Sequence, residues 1–326
     1  MKTPFPTALL GMWLTLLVVL SACSTASSNN TPAPDTTPPQ VLATTPANGA
    51  RGVLKGVQLV VQFSEPMDHS CTEAAYWSRD EGLKPDQVTF HWDDAQTLRI
   101  IPNDPLAYSN DDNDKVYTFV INKIACDLAG NIMGAQTVTR FYVLRKLSGV
   151  LQSEPDLDGY VFDFGRVDTA AHDLGAGDGP NGETARAFLS FDLSELNPDP
   201  LEVISARLLF KVSTITGHPA ADLGPLLVEH VHYGSHLYES AFDLDVLSPQ
   251  QPCSLANLTG PWLGCWKGVE VQDDVAWWLE RGGRSQFRLR FTRDTDDDGA
   301  EDSAMFYSGD AAEDDRPLLE VVYYAP

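Results

Sequence analysis

The sequence predicts an all-β protein of two successive β-sandwiches, the second of jelly-roll type, set behind a leader and a linker. Three observations carry this expectation. Apolar and polar residues alternate over short stretches, which is the period of a half-buried strand. Pro, Gly, Asn and Asp cluster between these stretches as turn signals. No amphipathic helix of useful length interrupts the first half of the folded region. With 326 residues, the chain is too long for one small sandwich, so two domains are the natural division.

The N-terminus reads as an export signal. Lys2 gives a weak positive start, and an apolar run from Ala8 to Leu20 is broken only by Gly11 and Thr15. Small residues follow. That order is the secretory pattern, and the apolar run is too short for a comfortable membrane span. Leu20-Ser21-Ala22-Cys23 resembles the lipobox of bacterial lipoproteins. The resemblance implies that residues 1–22 are a signal peptide and that lipidation of Cys23 anchors the mature chain to a membrane. Ser24, where inner-membrane lipoproteins carry an aspartate, points to the outer membrane or cell surface. Residues 23–38 are Ser, Thr, Asn and Pro with little apolar content, which makes them a disordered linker.

The cysteines agree with export. There are five, and setting Cys23 aside leaves Cys71, Cys126, Cys253 and Cys265, an even set for an oxidising compartment. Three connectivities are open; pairing within each half, Cys71–Cys126 and Cys253–Cys265, is the simplest. None has the C-x-x-C spacing of redox or zinc sites. Charge narrows the partners further. A formal net charge of −24 repels nucleic acid, so binding through a phosphate backbone is excluded.

Residues 39–146 form the first domain. Leu59, Val61 and Phe63 alternate before Ser64-Glu65-Pro66-Met67-Asp68 breaks the strand. Further strands are expected at Val88 to Trp92, Thr97 to Ile101, Val116 to Ile121 and Thr137 to Val143. Pro46-Ala47-Asn48-Gly49-Ala50, Phe63-Ser64-Glu65-Pro66-Met67-Asp68 and Asp127-Leu128-Ala129-Gly130-Asn131 stand in the order of bacterial Ig-like domains of the SbsA type, which this region resembles. The resemblance implies a spacer or adhesion module in a surface protein and offers no catalytic residues.

Residues 147–326 form the second domain. Ala187, Leu189 and Phe191 alternate, as do Leu208, Phe210 and Val212, and Phe287, Leu289 and Phe291. Leu226 to Val231 and Leu318 to Tyr324 also read as strands. The exception is a short helix near Asp273, which would cap it while Val275, Trp278 and Leu279 pack inward. Many strands with long loops suggest a jelly roll. Asp158-Gly159-Tyr160-Val161, Arg186 to Ser194, Ile204 to Leu208, Trp266 to Gly282 and Arg316 to Val321 resemble successive blocks of DNRLRE-type domains. That family is akin to carbohydrate-binding modules, and some members bind acidic polysaccharides.

Four constellations carry candidate chemistry. Asp294, Asp296 and Asp298 alternate before Gly299, and a loop of this kind converges carboxylates on a hard cation. Met305 at the twelfth position excludes a complete EF-hand, so Glu301 or Asp302 would complete a different calcium site; the alternative is a solvated acidic hairpin tip. Arg288 and Arg290 project opposite to Phe287, Leu289 and Phe291, while Arg207, Lys211 and Arg186 do likewise on other strands. Such a basic face would recognise the carboxylates of a glycan, or pair with neighbouring acids. His230, His232 and His236 lack an acidic fourth ligand for zinc. Trp262, Trp266, Trp277 and Trp278 belong to a sugar-stacking surface or, more simply, to the core.

No G-x-S-x-G, H-E-x-x-H or Gly-rich phosphate loop is present, and no carboxylate pair stands out as catalytic. The expected function is therefore that of a non-catalytic, lipid-anchored surface protein. Its Ig-like stalk would present the jelly roll to an extracellular polysaccharide, with no cofactor beyond a possible structural calcium. The alternatives are an envelope-assembly lipoprotein that docks another protein, and a glycan-processing enzyme.

Overall fold

The computed structural model describes residues 33–253, 265–279, 281 and 283–326. The expected signal peptide, Cys23, most of the linker and Trp262 lie outside the described residues.

The first domain is an all-β sandwich of strands β1 (Val41–Thr45), β2 (Ala50–Val53), β3 (Leu59–Phe63), β4 (Tyr76–Trp77), β5 (Val88–Asp94), β6 (Thr97–Pro102), β7 (Val116–Ile121) and β8 (Thr137–Val143), with one short helix, α1 (His69–Ala74). One sheet runs β1-β3-β6-β5 and the other β2-β8-β7-β4. Alternation decides which side chains meet between them. Leu59, Val61 and Phe63 are buried with Leu98 and Ile100 of β6 and with Phe119 and Phe141 of the facing sheet.

The motif residues of this domain act locally. Asp68 ends the strand region and accepts from the Cys71 amide at 2.9 Å, capping α1. Asp127 accepts from the amides of Ala129 and Asn131, each at 2.8 Å, and from the Asn131 side chain at 2.8 Å. These bonds wind the chain into a turn that places Gly130 at φ 88°, where a side chain would be strained. Cys71 and Cys126 are joined as expected. The bridge closes a span of 55 residues, which by loop entropy stabilises the domain by about 4 kcal/mol.

The second domain follows with Leu144 alone between β8 and the next strand. It contains β9 (Arg145–Gln152), β10 (Gly159–Phe162), β11 (Val167–Asp168), β12 (Asp173–Asp178), β13 (Thr184–Asp192), β14 (Glu202–Thr216), β15 (Leu226–Val231), β16 (Gln251–Cys253), β17 (Trp266–Glu270), β18 (Arg284–Phe291), β19 (Asp302–Tyr307) and β20 (Leu318–Ala325). Its helices are α2 (Pro219–Asp222) and α3 (Gln272–Leu279). Pairing runs β16-β15-β18-β13-β12-β19-β14-β20-β9, with β10 added to β13, β11 to β10 and β17 to β14.

The long strand β14 makes this path a sandwich. Its first part pairs with β20 and β17; a register shift between Val212 and Thr214 follows, and its end pairs with β19. The sheet thereby curls over one core. Leu189, Phe191, Leu208, Phe210, Val212, Phe287, Leu289 and Phe291 all point into it, as their alternation predicts. Helix α3 begins at Gln272, so Asp273 lies in its first turn rather than at the cap, while Val275 and Trp278 are buried as expected.

The two domains are in direct contact. Tyr324 packs against the first core and meets Tyr108 edge-on at 4.7 Å. The Arg145 guanidinium donates to the Asp112 carbonyl at 3.3 Å, and the Lys146 amide to the Asp111 carbonyl at 3.0 Å.

Candidate functional site

The arginine face expected to meet a ligand is not a surface. Arg288 stands directly across from Glu229 in the β15–β18 register and is 3 % exposed, while Glu229 is fully buried. The guanidinium donates to Glu229 at 2.7 Å and to the carbonyls of Phe242 and Leu244 at 2.8 and 3.0 Å. Burial lowers its pKa, and the Glu229 charge works against that. Arg290 shares the other oxygen of Glu229 at 3.0 Å. Arg186 is buried, lies 3.7 Å over the Phe242 ring and donates from Nη2 to both carboxylate oxygens of Asp294 at 3.0 Å.

The reason is a third layer. Leu237, Ala241 and Phe242 lie over Val161, Phe188 and Val231 on the outer side of the sheet. Arg207 is exposed beside Glu270, and Lys211 is paired with Asp315. The five cations therefore do not form one solvated basic face.

A different site lies where β10, β12 and β19 meet the β12–β13 turn. Leu174, Ala176, Ala304 and Phe306 turn into the core, so Gly175, Gly177, Ser303 and Met305 must face away from it. Gly175 pairs with Met305, and Gly177 with Ser303. Together with Tyr160, Phe162, Asp178, Glu183 and Glu301 they line a groove of about 240 Å³.

One position of the floor, Gly177, has to be glycine. A Cβ at Gly177, where φ is 130°, would fall 2.1 Å from the Asp302 carbonyl oxygen, and one at Gly175 would press on the Met305 sulfur at 3.3 Å. An aromatic ridge borders this floor. Phe162 stacks on Phe164 with centroids 5.0 Å apart and meets Tyr160 edge-on at 5.4 Å. Phe164 is 63 % exposed. Arg166 lies 5.5 Å over the Phe162 ring and is held beside Asp168 at 3.6 Å.

Sequence reasoning missed this groove. Its glycine strand has poor β propensity, and its aromatic residues come from a block noted only for its resemblance. The available signal was Tyr160 and Phe162 on one strand face, since period two keeps them together.

The acidic loop adjoins the groove. Of the five predicted calcium ligands, Asp296, Asp298 and Asp302 bring carboxylate oxygens within 4.8 Å of one another. Asp294 is instead drawn to Arg186, and Glu301 accepts from the Ser303 hydroxyl at 2.8 Å. Asp178 ties loop to groove by accepting from the Asp302 and Asp296 amides at 3.3 and 3.4 Å. The Asp298 amide pulls the pKa of Asp296 down, but desolvation and the charges of Asp298, Asp178 and Asp222 outweigh it and raise the pKa.

The remaining candidates are structural. Cys253 and Cys265 are free thiols, against the expected second bridge. Cys253 is turned into the core, where it packs as a small apolar group and burial raises its pKa. His230 is buried against Trp277, Trp278 and Phe287, and desolvation pushes it down to about 4. His232 is exposed. Trp278 is core, Trp277 packs against it, and Trp266 is 40 % exposed.

Fold and site together define an all-β protein whose first sandwich is Ig-like and whose second offers an open, aromatic-edged groove. Residues 35–143 match the family described as bacterial Ig-like domain, as the sequence motifs imply. No curated protein matches the chain. Among solved structures, an L,D-transpeptidase from Mycobacterium smegmatis is 14 % identical with TM-score 0.24, covering 78 % of this chain and 99 % of its own. The N-terminal part of the bacterial S-layer protein SbsC is 13 % identical with TM-score 0.23, covering 49 % and 42 %. SGBP-B from a complex xyloglucan utilization locus in Bacteroides uniformis is 12 % identical with TM-score 0.23, covering 86 % and 72 %. Overlaps this weak carry no argument about function. No described helix is long and apolar enough to cross a membrane.

Proposed function

We propose that the protein is a non-catalytic component of the bacterial surface, exported and tied to a membrane through Cys23, whose second sandwich binds an extracellular polysaccharide. The DNRLRE-type likeness of that sandwich belongs to the same reading. The observation that carries it is the ridge of Tyr160, Phe162 and Phe164 beside a floor opened by Gly175 and Gly177. Flat apolar rings next to open backbone suit the C–H face of a sugar ring, and neighbouring carboxylates accept its hydroxyls. The Ig-like sandwich, continuous with β9, acts as a stalk.

The test is retention of the purified full chain in polysaccharide-containing gels, with turnover of the same polymers assayed in parallel. Retention without cleavage is the expected result. Cleavage turns the reading toward an enzyme, and absence of any retention removes polysaccharide as the partner.

The acidic loop belongs to this reading as the place where a calcium ion would order one wall of the groove. Calcium at millimolar concentration is expected to raise the melting temperature by a few degrees, as ligand linkage requires for a site that forms only in the folded state. The shift should vanish in Asp296→Asn/Asp298→Asn. An identical melting temperature with calcium and with chelator removes the ion.

A further inference from the structure

Resting on the reading of the groove as a polysaccharide site, we infer that it selects neutral, hydroxyl-rich chains and turns uronate polymers away. The groove is lined by three carboxylates, Asp178, Glu183 and Glu301, and no lysine or arginine lines it. None of the three is in an ion pair among the described residues. Asp178 accepts two backbone amides, Glu183 the Asn181 amide at 3.1 Å, and Glu301 the Ser303 hydroxyl. Asp178 is itself buried, so Glu183 and Glu301 carry the charge that faces whatever enters.

Four cations that could offset that charge are engaged elsewhere. Arg186 is held by Asp294 and the Phe242 carbonyl, Arg288 and Arg290 by Glu229, and Lys211 by Asp315. Arg166 lies over the ridge itself, 5.5 Å from the Phe162 centroid, with the Asp168 carboxylate 3.6 Å away to offset its charge. Behind the groove stand Asp296, Asp298 and Asp302, which add to the same negative field.

Each feature then sorts ligands in one direction. Carboxylates accept hydrogen bonds and cannot donate them, so they reward hydroxyl donors and repel a second carboxylate. The Phe162–Phe164 stack and the glycine floor reward apolar ring faces whatever the polymer's charge. A neutral glycan satisfies both conditions. A uronate satisfies only the second.

The experiment is affinity electrophoresis of the full chain with chelator present, so that no divalent cation bridges two carboxylates. A panel of neutral glucans, galactans and mannans is compared with alginate and polygalacturonate. At least one neutral polymer should bind about a hundredfold more tightly than either uronate, with little dependence on salt. Phe164→Ala, at an exposed position, should lower the neutral affinity about tenfold, the usual scale for removing an aromatic anchor. Glu183→Gln/Glu301→Gln should shift the preference toward uronates by a similar factor. Tighter binding of a uronate overturns the inference while leaving polysaccharide recognition standing. Neutral binding unchanged in both variants places the ligand elsewhere and also overturns it. Failure of every polymer to bind removes both this inference and the function it rests on.

Discussion

Glu229→Ala is expected to destabilise the second sandwich by about 3–5 kcal/mol, because it leaves the buried Arg288 guanidinium without its counter-charge. Glu229 is fully buried and shared: Arg288 takes one oxygen at 2.7 Å, Arg290 the other at 3.0 Å, and the Gln250 side chain also donates to it. Arg288 in turn holds the covering segment through the carbonyls of Phe242 and Leu244. Arg288→Ala should therefore cost a similar amount and loosen that segment. The double variant Glu229→Gln/Arg288→Met should cost less than the sum of the single changes, since the buried Arg288 charge goes with its partner and only the part-exposed Arg290 loses its counter-charge. Urea unfolding of the four proteins measures this. Additive losses, or single changes within experimental error of the parent, would show that the pair does not lock the layer. Polysaccharide binding by the folded variants should be unaltered, because neither residue lines the groove.

The second large effect concerns pH. Asp158 is 1 % exposed; its Oδ2 accepts from the Ser153 hydroxyl at 2.9 Å and from the Gly309 amide, and its Oδ1 has no partner. Desolvation raises its pKa from 3.8 to about 7, with Asp310 and Asp156 adding to the rise and the two hydrogen bonds opposing it. A carboxyl whose folded pKa lies above its unfolded one stabilises the fold fully at low pH. That stability is lost as pH climbs from about 4 to about 7, where the unfolded chain releases its proton first. A rise of this size amounts to ~4 kcal/mol across the window.

Asp158→Asn removes the titration and keeps an acceptor for Ser153 and Gly309. The variant should match the parent near pH 4 and exceed it in stability at pH 7.5, with the two curves diverging between. Unfolding midpoints at four pH values decide it. Parallel curves would mean that Asp158 ionises in the folded protein as readily as in the unfolded chain.

These two predictions also mark where sequence reading reached and where it stopped. The alternation of Phe287, Leu289 and Phe291 correctly assigned those side chains to the core, and it correctly turned Arg288 the opposite way. It went wrong in equating that opposite face with solvent. Arg288 bonds to Phe242, 46 positions away, and nothing in either segment's own pattern announces that one will cover the other. The acidic loop was legible as a cluster but not as a geometry. Arg186, 108 residues before Asp294, removes one of the five expected ligands from the set.

The sequence by itself determined the all-β class, the Ig-like first domain, the strand break at Ser64 to Asp68 and the inward face of each recognised strand. All of these are set by period-two patterning or by residues close in the chain, whereas cysteine counting left three pairings open and only the fold selected Cys71–Cys126. Tertiary structure alone decided what lies on the far side of each strand. Pairing of Gly175 with Met305 brings together a glycine floor, an aromatic ridge and three carboxylates from well-separated segments. It does so because a strand's pattern fixes only the orientation of its own side chains, while the contents of a groove depend on which strands become neighbours.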